Sequence, residues 1–169
     1  MLRVALAVLH LLALGIGTGA VYARARALHR VAAAPGGVPN ASPAGGGADP
    51  GALARAFAAD AWWGVAALLW LGTGLWRALA GTEKAPAYYW ANHVFYAKMT
   101  LFAAVFALEL WPMVTLVRWR AAAGRGTLPA PAALAPAARR IARLSDVQLL
   151  LLVGIVTAAV LMARGYGAR

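Results

Sequence analysis

The chain has 169 residues, 63% of them hydrophobic and only 12% charged, with a formal net charge of +11 and a mean hydropathy of +0.69. A soluble domain carries about a quarter charged residues, so this composition excludes an ordinary soluble fold. The lack of cysteine excludes disulfides, iron–sulfur clusters and thiolate-held metals. The basic residues flank apolar runs instead of covering one face, which excludes nucleic acid as a partner and points to membrane topology and anionic lipid heads.

Four apolar stretches follow in chain order, each near the ~20 residues a bilayer core requires. The first runs from about Leu2 to Ala23, with His10 as its titratable interior residue. It is longer than the ~7–15-residue core of a signal peptide and is expected to stay uncleaved. Residues 35–51 are rich in Pro and Gly and predict a flexible loop. Leu53–Asp60 is expected to begin a short helix leading into the second stretch, Ala61–Ala80, which Asp60 precedes and which carries Arg77 near its end. Tyr88, Tyr89 and Trp90 suit one interfacial belt, and Trp62, Trp63 and Trp119 the other. The third stretch, Val94–Val117, contains Lys98, Glu109 and Pro112. The basic connection 118–146 contains Pro129, Pro131 and Pro136, which are expected to break the chain before a basic interfacial helix over Ala137–Leu144. Ser145 or Asp146 is then the expected cap of the fourth and shortest stretch, Val147–Ala163, where Gly154 and Thr157 are weakly polar interior positions. Isolated spans in lipid must satisfy their own backbone hydrogen bonds. The expected fold is therefore all-α, a four-transmembrane-helix bundle forming a single integral membrane domain over 1–169.

Orientation follows from the basic residues. The first and third connections hold Arg24, Arg26, Arg30, Arg55, Arg118, Arg120, Arg125, Arg139, Arg140 and Arg143, whereas the other side holds Arg3, Arg77, Lys84, Arg164 and Arg169. The imbalance predicts cytoplasmic connections and both termini on the outer face.

The ionisable residues inside the stretches are the candidate sites, because hydrocarbon is a costly place for them. Arg3, His10, Gly17 and Arg24 are spaced by seven and share a helix face, flanked by Ala13 and Ala20. Trp63, Trp70 and Arg77 form a similar stripe. Lys98 and Glu109 share a face roughly 16 Å apart along the axis, too far to pair, so each needs a partner from another helix. This spacing predicts an outer polar site around His10, Lys98 and Arg77, and an inner one around Glu109, Arg24 and Asp60. Each residue also has a plain structural reading. His10 serves as a hydrogen-bonding helix contact, Lys98 snorkels, Glu109 pairs with Arg24 or Arg118, and Asp60 caps a helix.

The segment from Ala59-Asp60 through Gly64, Thr73-Gly74 and Arg77, Gly81–Lys84, Tyr88-Tyr89, Asn92, Phe95, Lys98-Met99, Leu101-Phe102 and Pro112 to Arg118-Trp119-Arg120, with Leu9-His10 before it, resembles the bacterial membrane family called domain of unknown function 2214. The resemblance implies a multi-pass protein of the bacterial inner membrane, and implies no activity. A weaker similarity, through His10, Gly19, Tyr22, Arg24 or Arg26, and Lys98, is to four-helix membrane proteins of the copper-resistance D and membrane protoporphyrinogen-oxidase type. In the haem-binding members of that type the first-span His is implicated in haem binding.

Three function classes are open at this point, and whether the protein is an enzyme stays undecided. The first is a tetrapyrrole-binding, redox-related bundle, with haem b as cofactor, His10 on the iron, Lys98 as second ligand or countercharge, and Arg77 or Arg3 at a propionate. The second is a small proton-coupled transporter using Glu109 and Lys98, which needs a homo-oligomer. The third is an accessory or assembly subunit of a larger membrane complex. Membrane lipids are a partner in all three.

Overall fold

The computed structural model describes residues 1–33, 51–80 and 86–167; the predicted loop 35–51 lies almost wholly outside them, as do Lys84 and Arg169. The described chain forms α1 (Leu2–Ala33), α2 (Ala52–Leu79), the short α3 (Pro86–Trp90), α4 (His93–Gly124) and α5 (Pro131–Ala163), and contains no strand among these residues. The four long helices are each long and apolar enough to cross a membrane, as the apolar runs predict.

The helices run up and down. His10 and Arg24 of α1 meet Thr73 and Asp60 of α2, so one helix ascends as the other descends. Asn92 and His93 at the start of α4 bond to Tyr166 and Gly167 just beyond α5. The start of α1, the end of α2, the start of α4 and the end of α5 therefore share one end of the bundle, here called the terminal end. α1 packs against α2 and α5, and α5 against α4, while α2 and α4 approach one another only sparsely. The ring of helices thus has one loose seam, between α2 and α4.

Sequence explains the closest approach. The small residues Ala13, Gly17 and Ala20 of α1 are buried, and a Cβ placed on Gly17 would stand 3.0 Å from Trp63 Cζ3. Trp63 is 6% exposed. It is a core residue and not part of an interfacial belt, because its helical spacing from Trp70 places both rings on the face that α1 covers. The outward surface is apolar instead. Leu11, Leu12, Leu68, Phe106, Leu150 and Val153 are all exposed, an inverted distribution that suits lipid and would form a very large patch in water.

Every long helix outruns its apolar stretch at the end opposite the termini. A second apolar core forms there from Ala27, Leu28, Ala32, Ala56, Leu116, Ala138, Ile141 and Ala142. This corrects three expectations. α5 is continuous from Pro131 through Pro136, so Ala137–Leu144 is not a separate interfacial helix. Pro131 occupies the first turn, where its missing N–H costs nothing, and burial of Leu134, Ala135, Ala138 and Ile141 offsets the single backbone bond lost at Pro136. Ser145 lies mid-helix with its hydroxyl on the Ile141 carbonyl and caps nothing. Asp60 is likewise no cap, because α2 begins at Ala52 in an alanine-rich segment of high helix propensity.

Gly17→Leu is expected to lower stability by about 1–3 kcal/mol through overpacking, read as the thermal unfolding midpoint in mild detergent. Gly15→Leu is the control and should leave the midpoint near wild type, since a Cβ there meets nothing within 4 Å.

Candidate functional site

Between the two apolar cores lies a buried polar network centred on Arg24, which is 0% exposed. A guanidinium has five N–H donors, and here each finds an acceptor. Nε donates to Ser145 Oγ at 3.2 Å, Nη1 to Asp60 Oδ1 at 3.0 Å and Glu109 Oε1 at 2.5 Å, and Nη2 to Glu109 Oε2 at 2.7 Å and Gln148 Oε1 at 2.8 Å. The Glu109 contact is the bidentate arrangement that makes arginine–carboxylate pairs strong. Gln148 Nε2 donates onward to Glu109 Oε2 at 2.8 Å and to the Val105 carbonyl at 3.2 Å. α1 thus contributes the cation, α2 and α4 the carboxylates, and α5 the neutral groups.

The three residues expected at this end, Glu109, Arg24 and Asp60, are in direct contact. Arg118, the alternative partner of Glu109, is exposed on α4. Arg120 lies within electrostatic reach of Asp60 while its guanidinium covers the Phe57 ring and bonds the Phe57 carbonyl. Sequence reasoning missed Ser145 and Gln148. They sit three residues apart on one helix face, and Gln148 lies inside an apolar run; a search confined to ionisable groups passes over both.

The second site lies roughly 20 Å away along α1, toward the terminal end. His10 Nδ1 stands 2.9 Å from Thr73 Oγ1. The Thr73 hydroxyl gives its proton to the Leu69 carbonyl at 2.6 Å, so it accepts from a protonated Nδ1. That assignment leaves Nε2 as the bare nitrogen. The ring packs against α2, with its centroid 5.8 Å from that of Trp70. A Cβ on Gly74 would stand 3.1 Å from His10 Cε1, so glycine makes room for the imidazole. Arg77 of α2 and Lys98 of α4 both act electrostatically on His10, and Arg77 acts on Lys98. The three residues expected at this end, one from each of three helices, thus lie within electrostatic reach of one another. His93, at the start of α4, is exposed. Thr73 and Trp70 complete the surroundings of His10, and neither was named there from sequence, because their role depends on which helix α1 packs against.

Among the described residues no group of three or more His, Cys, Asp or Glu side chains is placed to hold a metal ion.

Helices inverted in this way, with polar groups inside and apolar groups outside, define a polytopic α-helical membrane protein. The chain belongs to the family described as "Predicted membrane protein (DUF2214)", which matches residues 2–167. No curated protein and no solved structure matches it.

Arg24→Met leaves two buried carboxylates without their cation and is expected to cost about 3–5 kcal/mol, measured by unfolding in detergent. The triple variant Arg24→Met, Asp60→Asn, Glu109→Gln should recover part of that loss. Purely additive losses would show that the network does not act as a unit.

Proposed function

We propose that the protein is a multi-pass bacterial inner-membrane protein with both termini periplasmic, and that its outer half binds a tetrapyrrole, haem b, in a redox-related role. The observation that supports this is the state of His10. A histidine that ligates a metal characteristically donates its other ring N–H to an oxygen, which fixes tautomer and orientation. His10 does so through Thr73, with the Trp70 backbone as a further hydrogen-bonding neighbour, and the tautomer leaves Nε2 without a proton. The donor set fits the group in charge as well, since Lys98 and Arg77 would balance two propionates. A bound haem would supply one-electron chemistry. The protein's own part is to hold the imidazole by Thr73 and Gly74, to keep water out with Trp70 and Phe102, and to set the local positive potential.

The proton-coupled carrier reading fares less well. Phe102 and the buried Val105 fill the face between Lys98 and Glu109, and Glu109 is committed to Arg24 and Gln148. The inner network is better suited to fixing the bundle than to passing protons.

Two measurements test this reading. A periplasm-dependent reporter fused after residue 169 should be active and a cytoplasm-dependent one silent; the reverse would invert the proposed topology. Protein purified in mild detergent should show a Soret band that His10→Ala abolishes while the unfolding midpoint stays within a few degrees of wild type. A wild-type protein without the band, even after addition of haem, would remove the tetrapyrrole assignment.

A further inference from the structure

The terminal half of the bundle holds a donor that ligation through His10 leaves unused. Trp70 is 6% exposed, and its indole Nε1–H is the buried side-chain atom that lacks any hydrogen-bond partner among the described residues. Buried polar groups are nearly always paired, and an exception asks for an explanation. The indole can only donate, so the missing partner is an acceptor. Its position narrows the choice. The Trp70 ring stands 5.8 Å from His10 and 5.4 Å from Phe102, centroid to centroid. Phe102 is one helical turn from Lys98 on the same face of α4. Lys98 is half-buried, and no described residue hydrogen-bonds or ion-pairs with its ammonium. The described carboxylates are all engaged elsewhere: Asp60 and Glu109 with Arg24, and Asp146 with His29. Asp49 and Glu83 lie outside the described residues. Trp70 on α2 meets Phe102 on α4, and these two helices pack against each other only sparsely, so Trp70 and Lys98 stand on the two sides of the loose seam.

A buried neutral donor on one side of a sparsely packed seam, with a half-buried cation one helical turn from its ring contact on the other, calls for a ligand that is both acceptor and anion. We infer that this seam binds an oxyanion, a carboxylate or phosphate group, which accepts a hydrogen bond from Trp70 Nε1 and is balanced by the Lys98 ammonium. The inference rests on the reading of the outer half as a ligand site, and it extends that reading to any molecule bearing such a group. Trp70 is then a specificity-determining residue, because a buried donor rejects ligands that cannot accept from it.

The test uses the full chain in phosphatidylcholine nanodiscs, free of tetrapyrrole. One arm titrates inorganic phosphate; the other replaces phosphatidylcholine stepwise with phosphatidylglycerol. Trp70 emission is obtained as the difference between wild type and Trp70→Phe, and affinity is measured separately by calorimetry. A saturable change is expected in at least one arm. Saturation by phosphate identifies a free oxyanion, and saturation by phosphatidylglycerol alone identifies a lipid head group; both support the inference. Trp70→Phe, which keeps an aromatic ring against Phe102, and Lys98→Met should each weaken binding roughly tenfold or more, as loss of a hydrogen bond to a charged group does. Lys98→Arg should retain most of it. No saturable change in either arm, as when a water molecule alone satisfies Trp70, overturns the inference, and so does unchanged affinity in either variant. A protein with no Soret band that still saturates with phosphate would lose the tetrapyrrole assignment and keep this one.

Discussion

The Arg24 guanidinium is the interaction on which the rest of the structure depends. An arginine inside a membrane helix is tolerated only when its charge and donors are met, and here five acceptors on three other helices meet all five donors. Apolar packing in lipid is a weak guide to register, because lipid tails are as apolar as the helices themselves. A five-way polar junction is demanding in distance and angle. Rotating or sliding any one helix by a residue would leave a buried carboxylate or guanidinium unpaired, so the junction fixes the level and facing of α1, α2, α4 and α5 together. Burying ions does not by itself favour folding over an apolar core. What it does is penalise every alternative arrangement.

With the register set there, the contacts at the terminal end follow. Arg24, Gly17 and His10 lie on one face of α1 at intervals of seven. Anchoring Arg24 to Asp60 therefore brings Gly17 onto Trp63 and His10 onto Thr73 and Gly74. The antiparallel partner has its own matching stripe, Asp60, Trp63, Trp70, Thr73 and Arg77. On α4, the junction at Glu109 sets Lys98 three turns away on the same face. The terminal-end cluster is thus a geometric consequence of the Arg24 junction, and its residues come from helices that are already fixed in place.

Much of this was legible in the sequence, for a specific reason. Ionisable residues in apolar runs are rare enough to stand out, and helical period alone tells which of them share a face. That was sufficient for His10, Arg24, Lys98 and Glu109. The parts that were not legible share a different cause. Gln148 and Ser145 are neutral, so neither registers as an anomaly, yet a saturated guanidinium needs neutral acceptors once two carboxylates have taken their places. The cap reading of Asp60 and the belt reading of Trp63 failed because both residues were placed at the edge of the apolar stretch. α2 starts at Ala52, eight residues before Asp60, so positions that look like helix ends are interior. The same holds for α5, where the prolines suggest a break but the burial of Leu134 and Ile141 against the other helices carries the helix through. Polar helix extensions stabilised by tertiary packing leave little periodic signal.

The two polar clusters differ in one respect that bears on what each can do. At the Arg24 junction every donor of Arg24 and Gln148 is spent, and apolar clusters lie on both sides of it. At the terminal-end cluster the tautomer leaves His10 Nε2 without a proton, Trp70 Nε1 has no acceptor among the described residues, and two cations, Arg77 on α2 and Lys98 on α4, lie within electrostatic reach of the neutral imidazole. Evolution of a purely structural site would be expected to close such gaps, as it did around Arg24, since a serine or glutamine at a neighbouring position is enough. The same chain therefore contains a demonstration that its helices can satisfy a buried charge completely, and a second place where they do not. That contrast, more than any single residue, is what the proposal of a ligand site in the half of the bundle that carries the termini rests on.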